Sequence, residues 1–310
     1  MTVRNIDALL RPQRVLVLGS SADGIAGQVL HNIAHTVPSD RRTLVGANDP
    51  GWCSIAEHDP WPATTVAVLM DLRYATASVV RRLADCGCRA LVWPLAAAVP
   101  DELWEAARAS TLRVLGPRGG LSCAAGPGYS LSSLPLQPQA GNVALIAQSH
   151  SVAAAAVDWM LGRNLGLSWL AITGGEADVD VADLLDHAAL DPQTRAVALQ
   201  LGRVRCARKF MSAARAVARI KPVAVLQTQP IYRPGGDAAV RSAAFRRAGL
   251  VECVTLGGLF DAIAALSRLP VPADGRIAVV GNGAGGCALA VDALHRQGLA
   301  VASLPAEIAS

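Results

Sequence analysis

The amino-acid sequence predicts an α/β protein built on parallel sheets, and three observations carry that prediction. Short apolar runs rich in Val, Leu and Ile alternate with Ala-rich stretches of helical period. The runs are near-continuously apolar, as strands covered by helices on both faces are. Glycine-rich turns close the strands and open the helices. At 310 residues, 52% hydrophobic and 17% charged, with a mean hydropathy of +0.34, the chain has material for about two cores and is no disordered tail.

In order, residues 14–19 read as a buried strand ending in a glycine turn, followed by a helix over 25–35. Residues 43–47, 65–70 and 90–93 supply strands two to four, helices over 77–86 and 101–110 fill the gaps, and 113–116 is a fifth strand. Together they make one doubly wound domain. Residues 119–141, rich in Gly, Ser, Pro and Ala, read as a loop-rich linker. A second series runs from the strand at 142–147 and the helix at 151–162. It continues with strands at 168–173, 196–200 and 223–227, and helices at 181–190, 207–219 and 257–269. Residues 270–275 are the next punctuation. A third unit then has a strand at 276–281, one helix and a strand at 299–304. A lone βαβ has little to bury itself against, so the expectation is a chain that stops inside a once longer domain. The division is therefore 1–136, 137–270 and 271–310.

No 18-residue uncharged apolar run occurs, so no membrane span is expected. The first residues lack the apolar core of a signal peptide, which gives a cytoplasmic expectation. The net charge of +4 suggests nucleic acid until the basic residues are located. They are dispersed, and Lys209 and Lys221 are the only lysines. The bias towards Arg and Ala reads as a GC-rich bacterial genome. The densest basic stretch, 203–221, has helical spacing and reads as a solvated helix face, so no nucleic-acid partner is expected. The seven cysteines, Cys53, Cys86, Cys88, Cys123, Cys206, Cys253 and Cys287, form no C-x-x-C pair. They read as buried free thiols, with neither metal nor disulfide framework. Asp178, Asp180 and Asp183 read as partners of a helix N-terminus rather than metal ligands.

Two strand–glycine–helix junctions are suited to a ligand, because a helix N-terminus offers free N–H groups and glycine lets a ligand approach them. The first is Gly19, Ser20, Ser21, Ala22, Asp23 and Gly24. The second, Gly281 to Gly286, fits G-x-G-x-x-G literally and suggests a dinucleotide such as NAD. Only 29 residues follow Gly281, and the acidic partner expected about 20 residues on would have to be Glu307. A tight turn is the competing reading.

The order of several segments carries a resemblance. They are the first junction, then Leu115 to Pro117, then N-V-A-L-I-A-Q-S at Asn142 to Ser149, and G-E-A-D-V-D at Gly175 to Asp180 with Leu184 and Leu185. After them come R-K-F at Arg208 to Phe210, Lys221 with Pro222, A-A-F-R-R-A-G at Ala243 to Gly249, and the stretch from Val279 to Gly298 with Asp292. In that order the chain resembles the NDP-forming acyl-CoA synthetases and, more distantly, the α subunit of succinyl-CoA synthetase, over essentially its whole length. The resemblance implies a Rossmann-like CoA-binding domain, a flavodoxin-like ligase domain and a partial third unit. It also implies CoA or acyl-CoA as ligand, with Gly19, Ser20, Ser21, Asp23, Asn48, Met70, Asp71 and Arg118 around it. Gln148, Ser149 and His150 would be the remnant of a phosphate-accepting helix start.

Departures from the family pattern accompany the matches. The family's phosphorylated histidine lies in a segment like S-S-H-T-G-S; here Tyr232 to Val240 contain no histidine. Gly202 stands where the glutamate that orients it belongs, His150 replaces a glycine, and Arg118 replaces the asparagine of G-P-N. A phosphoryl relay needs a nucleophilic imidazole held by a carboxylate. The expectation is a CoA or acyl-CoA binding module without ligase chemistry. It resembles the inactive synthetase region of bacterial protein lysine acetyltransferases, where it would regulate an acetyltransferase domain. Two alternatives stay open. One is an active ligase α-type subunit with a separate ATP-grasp partner; the other is an NAD-dependent oxidoreductase. A homo-oligomer is also left open.

Overall fold

The first apolar run is buried at all four positions of its strand, β1 (Val15–Leu18), and a short helix, α1 (Ile6–Leu10), precedes it. The computed structural model describes residues 6–20, 24–49, 51–124, 128–228, 238–269 and 276–303. After β1 come α2 (Gly24–Thr36), β2 (Arg42–Val45), β3 (Cys53–Ile55), β4 (Val66–Leu69), α3 (Ala77–Asp85), β5 (Ala90–Val92), α4 (Asp101–Ala109) and β6 (Arg113–Leu115). All six strands are parallel in the order β3-β2-β1-β4-β5-β6. This is the doubly wound order that reverses between β1 and β4. β1 and β4 are buried throughout because they are the apolar centre of the sheet. β3 escaped the sequence reading because Cys-Ser-Ile is a partly exposed edge strand with no apolar run. The helices follow from caps and spacing. The Thr76 hydroxyl accepts the Val79 N–H at 3.4 Å to start α3, and α4 buries Leu103 and Ala107 one turn apart.

The linker expected over 119–141 is corrected by the structure. The chain continues with β7 (Gly120–Cys123), β8 (Tyr129–Ser130), β9 (Gln139–Ala147), α5 (His150–Leu161), β10 (Gly166–Ile172), α6 (Val181–Leu190) and β11 (Ala196–Leu201). Then follow α7 (Ala207–Ala218), β12 (Val223–Gln227), α8 (Ala238–Ala248), β13 (Val251–Cys253) and α9 (Leu256–Arg268). The second sheet has the order β13-β12-β11-β9-β10-β7-β8. Its β9 to β13 are parallel in flavodoxin-like order, and β7 joins β10 antiparallel. The chain thus changes sheets between Leu115 and Gly120, ahead of the division at 136/137 read from the sequence. The stretch reads as loop because its buried apolar residues, Leu121, Tyr129, Leu131 and Leu134, are separated by serines that are buried too and so form no apolar run. Ser122, Ser130 and Ser132 hydrogen-bond one another at 2.8–3.1 Å, satisfying hydroxyls that would otherwise be costly to bury.

Both sheets belong to one unit, Met1–Arg268. One face of each contributes to a shared core that runs from Val17 and Val68 through Leu115 and Leu131 to Ile146 and Leu199. The opposite faces have their own clusters, around Leu16 and Trp93 in the first sheet and Leu145 and Ile172 in the second. The other unit, Leu269–Ser310, contains β14 (Arg276–Ile277), α10 (Ala284–Arg296) and β15 (Ala300–Val301). The strands pair in parallel. The strand expected to reach residue 281 stops at Ile277, and α10 buries none of its residues.

Two local expectations also change. Only Cys88 and Cys253 are buried, while Cys53 and Cys206 are exposed; burial pushes the Cys88 thiol up to about 12. The arginines of the basic stretch, Arg203, Arg205, Arg208, Arg215 and Arg219, are exposed, but its two lysines are not part of a solvated face. Lys209 is 2.9 Å from Asp180 and 2.8 Å from Asp183, and Lys221 donates to the carbonyls of Ala188 and Asp191. Asp180 and Asp183 form a capping box at the start of α6, as dipole partners do. No described residues form a cluster of three or more potential metal ligands.

Candidate functional site

Two corners stand where ligands bind in open α/β sheets, outside the carboxyl ends of the strands at the reversal of strand order. The first lies between β1 and β4. Gly19 ends β1 with φ +85°, and a Cβ there would strike the Cβ of Asp71 after β4. Gly46 ends β2 with φ +84°, and a Cβ there would strike the Tyr74 hydroxyl. Three loops therefore converge on the buried Tyr74, and only glycine permits the approach. The Met70 N–H donates to the Leu18 carbonyl at 3.0 Å, which locks the β4 loop to β1. Asp71 accepts from the Arg73 N–H at 2.9 Å and from its guanidinium Nε at 2.8 Å. That bond with Arg73 holds the Asp71 carboxyl below its usual range.

Gly19, Met70 and Asp71 are thus brought together. Ser20 is exposed beside them, and Asn48 is exposed on the loop after β2. α2 opens at Gly24, where no described residue lies within 4 Å of a Cβ position. Ser21 and Asp23 lie outside the described residues. Arg118 is exposed in the turn after β6, with φ +57° and its N–H on the Leu95 carbonyl at 2.9 Å. No described contact joins it to Gly19 or Asp71.

The second corner is the reversal between β9 and β11. Gln148 follows β9, and its side-chain oxygen accepts the N–H groups of Gly202 at 2.6 Å and Arg203 at 2.8 Å, after β11. Its amide nitrogen donates to Glu176 at 2.9 Å and to the Arg203 carbonyl at 2.7 Å. Gln200, buried in β11, accepts the N–H groups of Gln148 and Ser149 through one oxygen, at 3.1 and 2.9 Å. Ser149 is the N-cap of α5, with its hydroxyl 3.4 Å from the Val152 nitrogen. His150 begins the helix, half-buried, with Nε2 3.5 Å from the Ser133 hydroxyl. Burial lowers its pKa, so the imidazole is neutral at neutral pH.

Glu176 is the residue that sequence reasoning missed here, beyond its place in a family motif. It is 2% exposed, in the left-handed region at φ +53°, just after Gly174 and Gly175. One carboxyl oxygen accepts from Gln148, from Thr173 at 3.1 Å and from the Val181 N–H at 3.3 Å. The other oxygen has no hydrogen bond among the described residues, and the side chain lines a cleft that Arg203 and Arg205 also border. Burial raises its pKa against the pull of the Gln148 and Thr173 bonds. Its turn is clasped by the turn after β6: the Gly175 N–H donates to the Pro117 carbonyl at 2.7 Å and the Ala177 N–H to that of Gly116 at 2.8 Å. An acid directly after two glycines at a strand end was the available signal. The Gly281 to Gly286 loop, by contrast, is wholly exposed on a two-stranded sheet, without the paired halves of a dinucleotide fold.

Residues 140–231 match the family described as "Succinyl-CoA ligase like flavodoxin domain", and they are the flavodoxin-like part of the second sheet. The chain is similar to the acetate–CoA ligase [ADP-forming] I subunit alpha of Pyrococcus furiosus, 33% identical over 217 residues, covering 65% of this chain and 46% of that one. It is also similar to the acetate–CoA ligase [ADP-forming] I of Archaeoglobus fulgidus, 30% identical over 178 residues, covering 54% of this chain and 26% of that one. The chain spans about half or less of the length of these curated relatives. Among solved structures, its fold matches the apo dinucleotide forming acetyl-coenzyme A synthetase 1 of Ca. Korarchaeum cryptofilum at a TM-score of 0.85. The identity is 24%, over 97% of this chain and 70% of that one.

Proposed function

We propose that this chain is a CoA- or acyl-CoA-binding module of the ligase α type that does not carry out the ligase reaction itself. The observation that carries the reading is the pair of corners: a glycine-lined crevice at the β1/β4 reversal, and a β9/β11 reversal closed by Gln148. At the second corner Gly202 supplies only an N–H, bonded to Gln148, where a relay needs a carboxylate. The corresponding family segment, Tyr232 to Val240, has no histidine; residues 229–237 lie outside the described ones.

The crevice suits CoA physically. The start of α2 at Gly24 offers N–H groups and the positive end of a helix to a phosphate. Gly19, Ser20, Ser21, Asp23, Asn48, Met70 and Asp71 would line the ligand, with Arg118 as an additional cation. The proposal includes a cytoplasmic location and a regulatory role beside a separate acetyltransferase domain. Among the described residues no helix is long and apolar enough to cross a membrane.

A thermal-shift panel with CoA, acetyl-CoA, NAD and ATP tests the reading. A ligand at a hundred times its dissociation constant adds about 2.7 kcal/mol, worth roughly 5 °C or more at this size. The expected result is a shift with CoA or acetyl-CoA that Ser20→Trp abolishes. No shift with either sinks the proposal. A second reading, an active α-type subunit working with an ATP-grasp partner, draws support from the alpha-subunit relatives. It requires ATP-dependent, acid-labile phosphate on an imidazole, and His150 is the one at the phosphate-accepting helix start. Its appearance in a partner's presence would establish that reading over the first.

A further inference from the structure

At the opposite edge of the sheets, where the strands begin, a cleft of about 380 Å³ opens, inside the size range of small-molecule pockets. Arg11 before β1 and Arg41 before β2 border it, together with Tyr129 of β8, Trp169 of β10, and His187 and Asp191 at the end of α6. None of these residues belongs to either corner described above.

The walls are fixed by their own bonds. The Tyr129 hydroxyl donates to the Leu9 carbonyl at 3.0 Å. The Trp169 indole N–H donates to Asp191 at 3.0 Å, and the same carboxylate oxygen accepts from the Thr194 hydroxyl at 2.6 Å. Arg11 reaches the other oxygen at 3.4 Å. Two groups are left without a partner among the described residues. One is the guanidinium of Arg41, exposed on the cleft. The other is Nε2 of His187, whose side chain is 6% exposed and stands edge-on to Trp169 with ring centroids 5.9 Å apart. Its Nδ1 lies 3.2 Å from the Asp7 carboxylate, which favours the tautomer with the proton on Nδ1 and the lone pair on Nε2. Burial, the largest influence on this imidazole, keeps it neutral.

Trp169 and Tyr129, 3% and 9% exposed, leave only a narrow aromatic strip on the cleft, against which a planar ring packs at little entropic cost. The unpartnered cation favours a carboxylate. The Asp191 carboxylate already sets a negative charge beside Arg11, so a monoanion suits the site better than a phosphate dianion. The neutral Nε2 accepts a hydrogen bond and so selects a hydroxyl. We propose that this cleft is a second ligand site, which binds a small hydroxylated aromatic monocarboxylate. The ring lies against Trp169 and Tyr129, the carboxylate pairs with Arg41, and the hydroxyl donates to Nε2 of His187.

Titration calorimetry on the full chain with 3- and 4-hydroxybenzoate, benzoate, phenol and cyclohexanecarboxylate tests this. One hydroxybenzoate is expected to saturate a single site at about 1 mM or below. Benzoate and phenol should each bind about tenfold more weakly, as loss of one charge-assisted or buried hydrogen bond predicts. Arg41→Ala, an exposed substitution, should weaken the hydroxybenzoate about tenfold and leave phenol unchanged. Saturating CoA should change neither. The proposal fails if neither hydroxybenzoate saturates in that range, if cyclohexanecarboxylate binds equally well, if Arg41→Ala has no effect, or if CoA displaces the ligand.

Discussion

Glu176 holds a charge where charge is expensive. Its carboxyl is buried with a left-handed backbone, and burial raises its pKa above 4.5, the ordinary value. The sign of the consequence follows from which state binds the proton more tightly. Between 4.5 and the raised folded value the native state retains its proton while the unfolded chain has lost it, so stability falls as pH rises through that window. Glu176→Gln keeps the shape without the titration. In thermal melts from pH 4 to 7, the variant should gain on the wild type as pH increases; a constant difference would contradict the assignment. At Gly19 the constraint is steric. A Cβ would collide with Asp71 on a backbone at φ +85°, so Gly19→Ala should cost about 2–4 kcal/mol in urea unfolding. An unchanged midpoint would show that the β1 and β4 loops are not pressed together.

Elements of the two sheets are tied by one ion-pair network. Arg113 of β6 reaches Asp178 at 2.8 Å and Asp183 of α6 at 2.9 Å, and Lys209 of α7 reaches Asp183 and Asp180. Burial works to raise Asp183, but the Lys209 hydrogen bond and the charges of Arg113 and Lys209 outweigh it and hold the carboxyl low. A depressed folded pKa gives stability that is full above the unfolded value and is lost as pH falls below it. Arg113→Met should therefore cost about 2–4 kcal/mol near neutral pH, because it leaves the partly buried Asp178 without a cation and Asp183 with Lys209 alone. The deficit should shrink in acid melts below about pH 4. A deficit independent of pH would point to lost packing instead.

The same elements explain what could be read from the sequence and what could not. β1, β4, β11 and residues 143–147 of β9 were legible because they are apolar at nearly every position, which only strands buried on both faces need to be. The β7–β8 pair was not, since buried Leu121 and Tyr129 alternate with serines whose hydroxyls bond one another, which leaves no apolar run to read. Gly19, Asp71, Gln148 and Ser149 follow strands and could be found by position. Glu176 could not be ranked above other turn acids, because its burial depends on the turn after β6, almost sixty residues earlier in the chain.

At the scale of the whole molecule, the two units differ in what holds them. Within Met1–Arg268, helices cover extended parallel sheets and fully buried strands such as β11 have all six residues inside. Among its described residues, Leu269–Ser310 has two strands of two residues each and a 13-residue helix with no buried side chain. An isolated helix of that length is marginal in water, and two short strands add little independent stability. The Gly281 to Gly286 match thus names a turn without a core beneath it. Local stability follows buried contacts, so native-state amide exchange should separate the units sharply. Amides of β9, β11 and β12 should exchange only through global opening, with protection that tracks denaturant stability. Those of α10 should exchange within about 1–2 kcal/mol of the unprotected rate. Strong protection in α10, equal to that of β11, would contradict a helix held by so little buried surface.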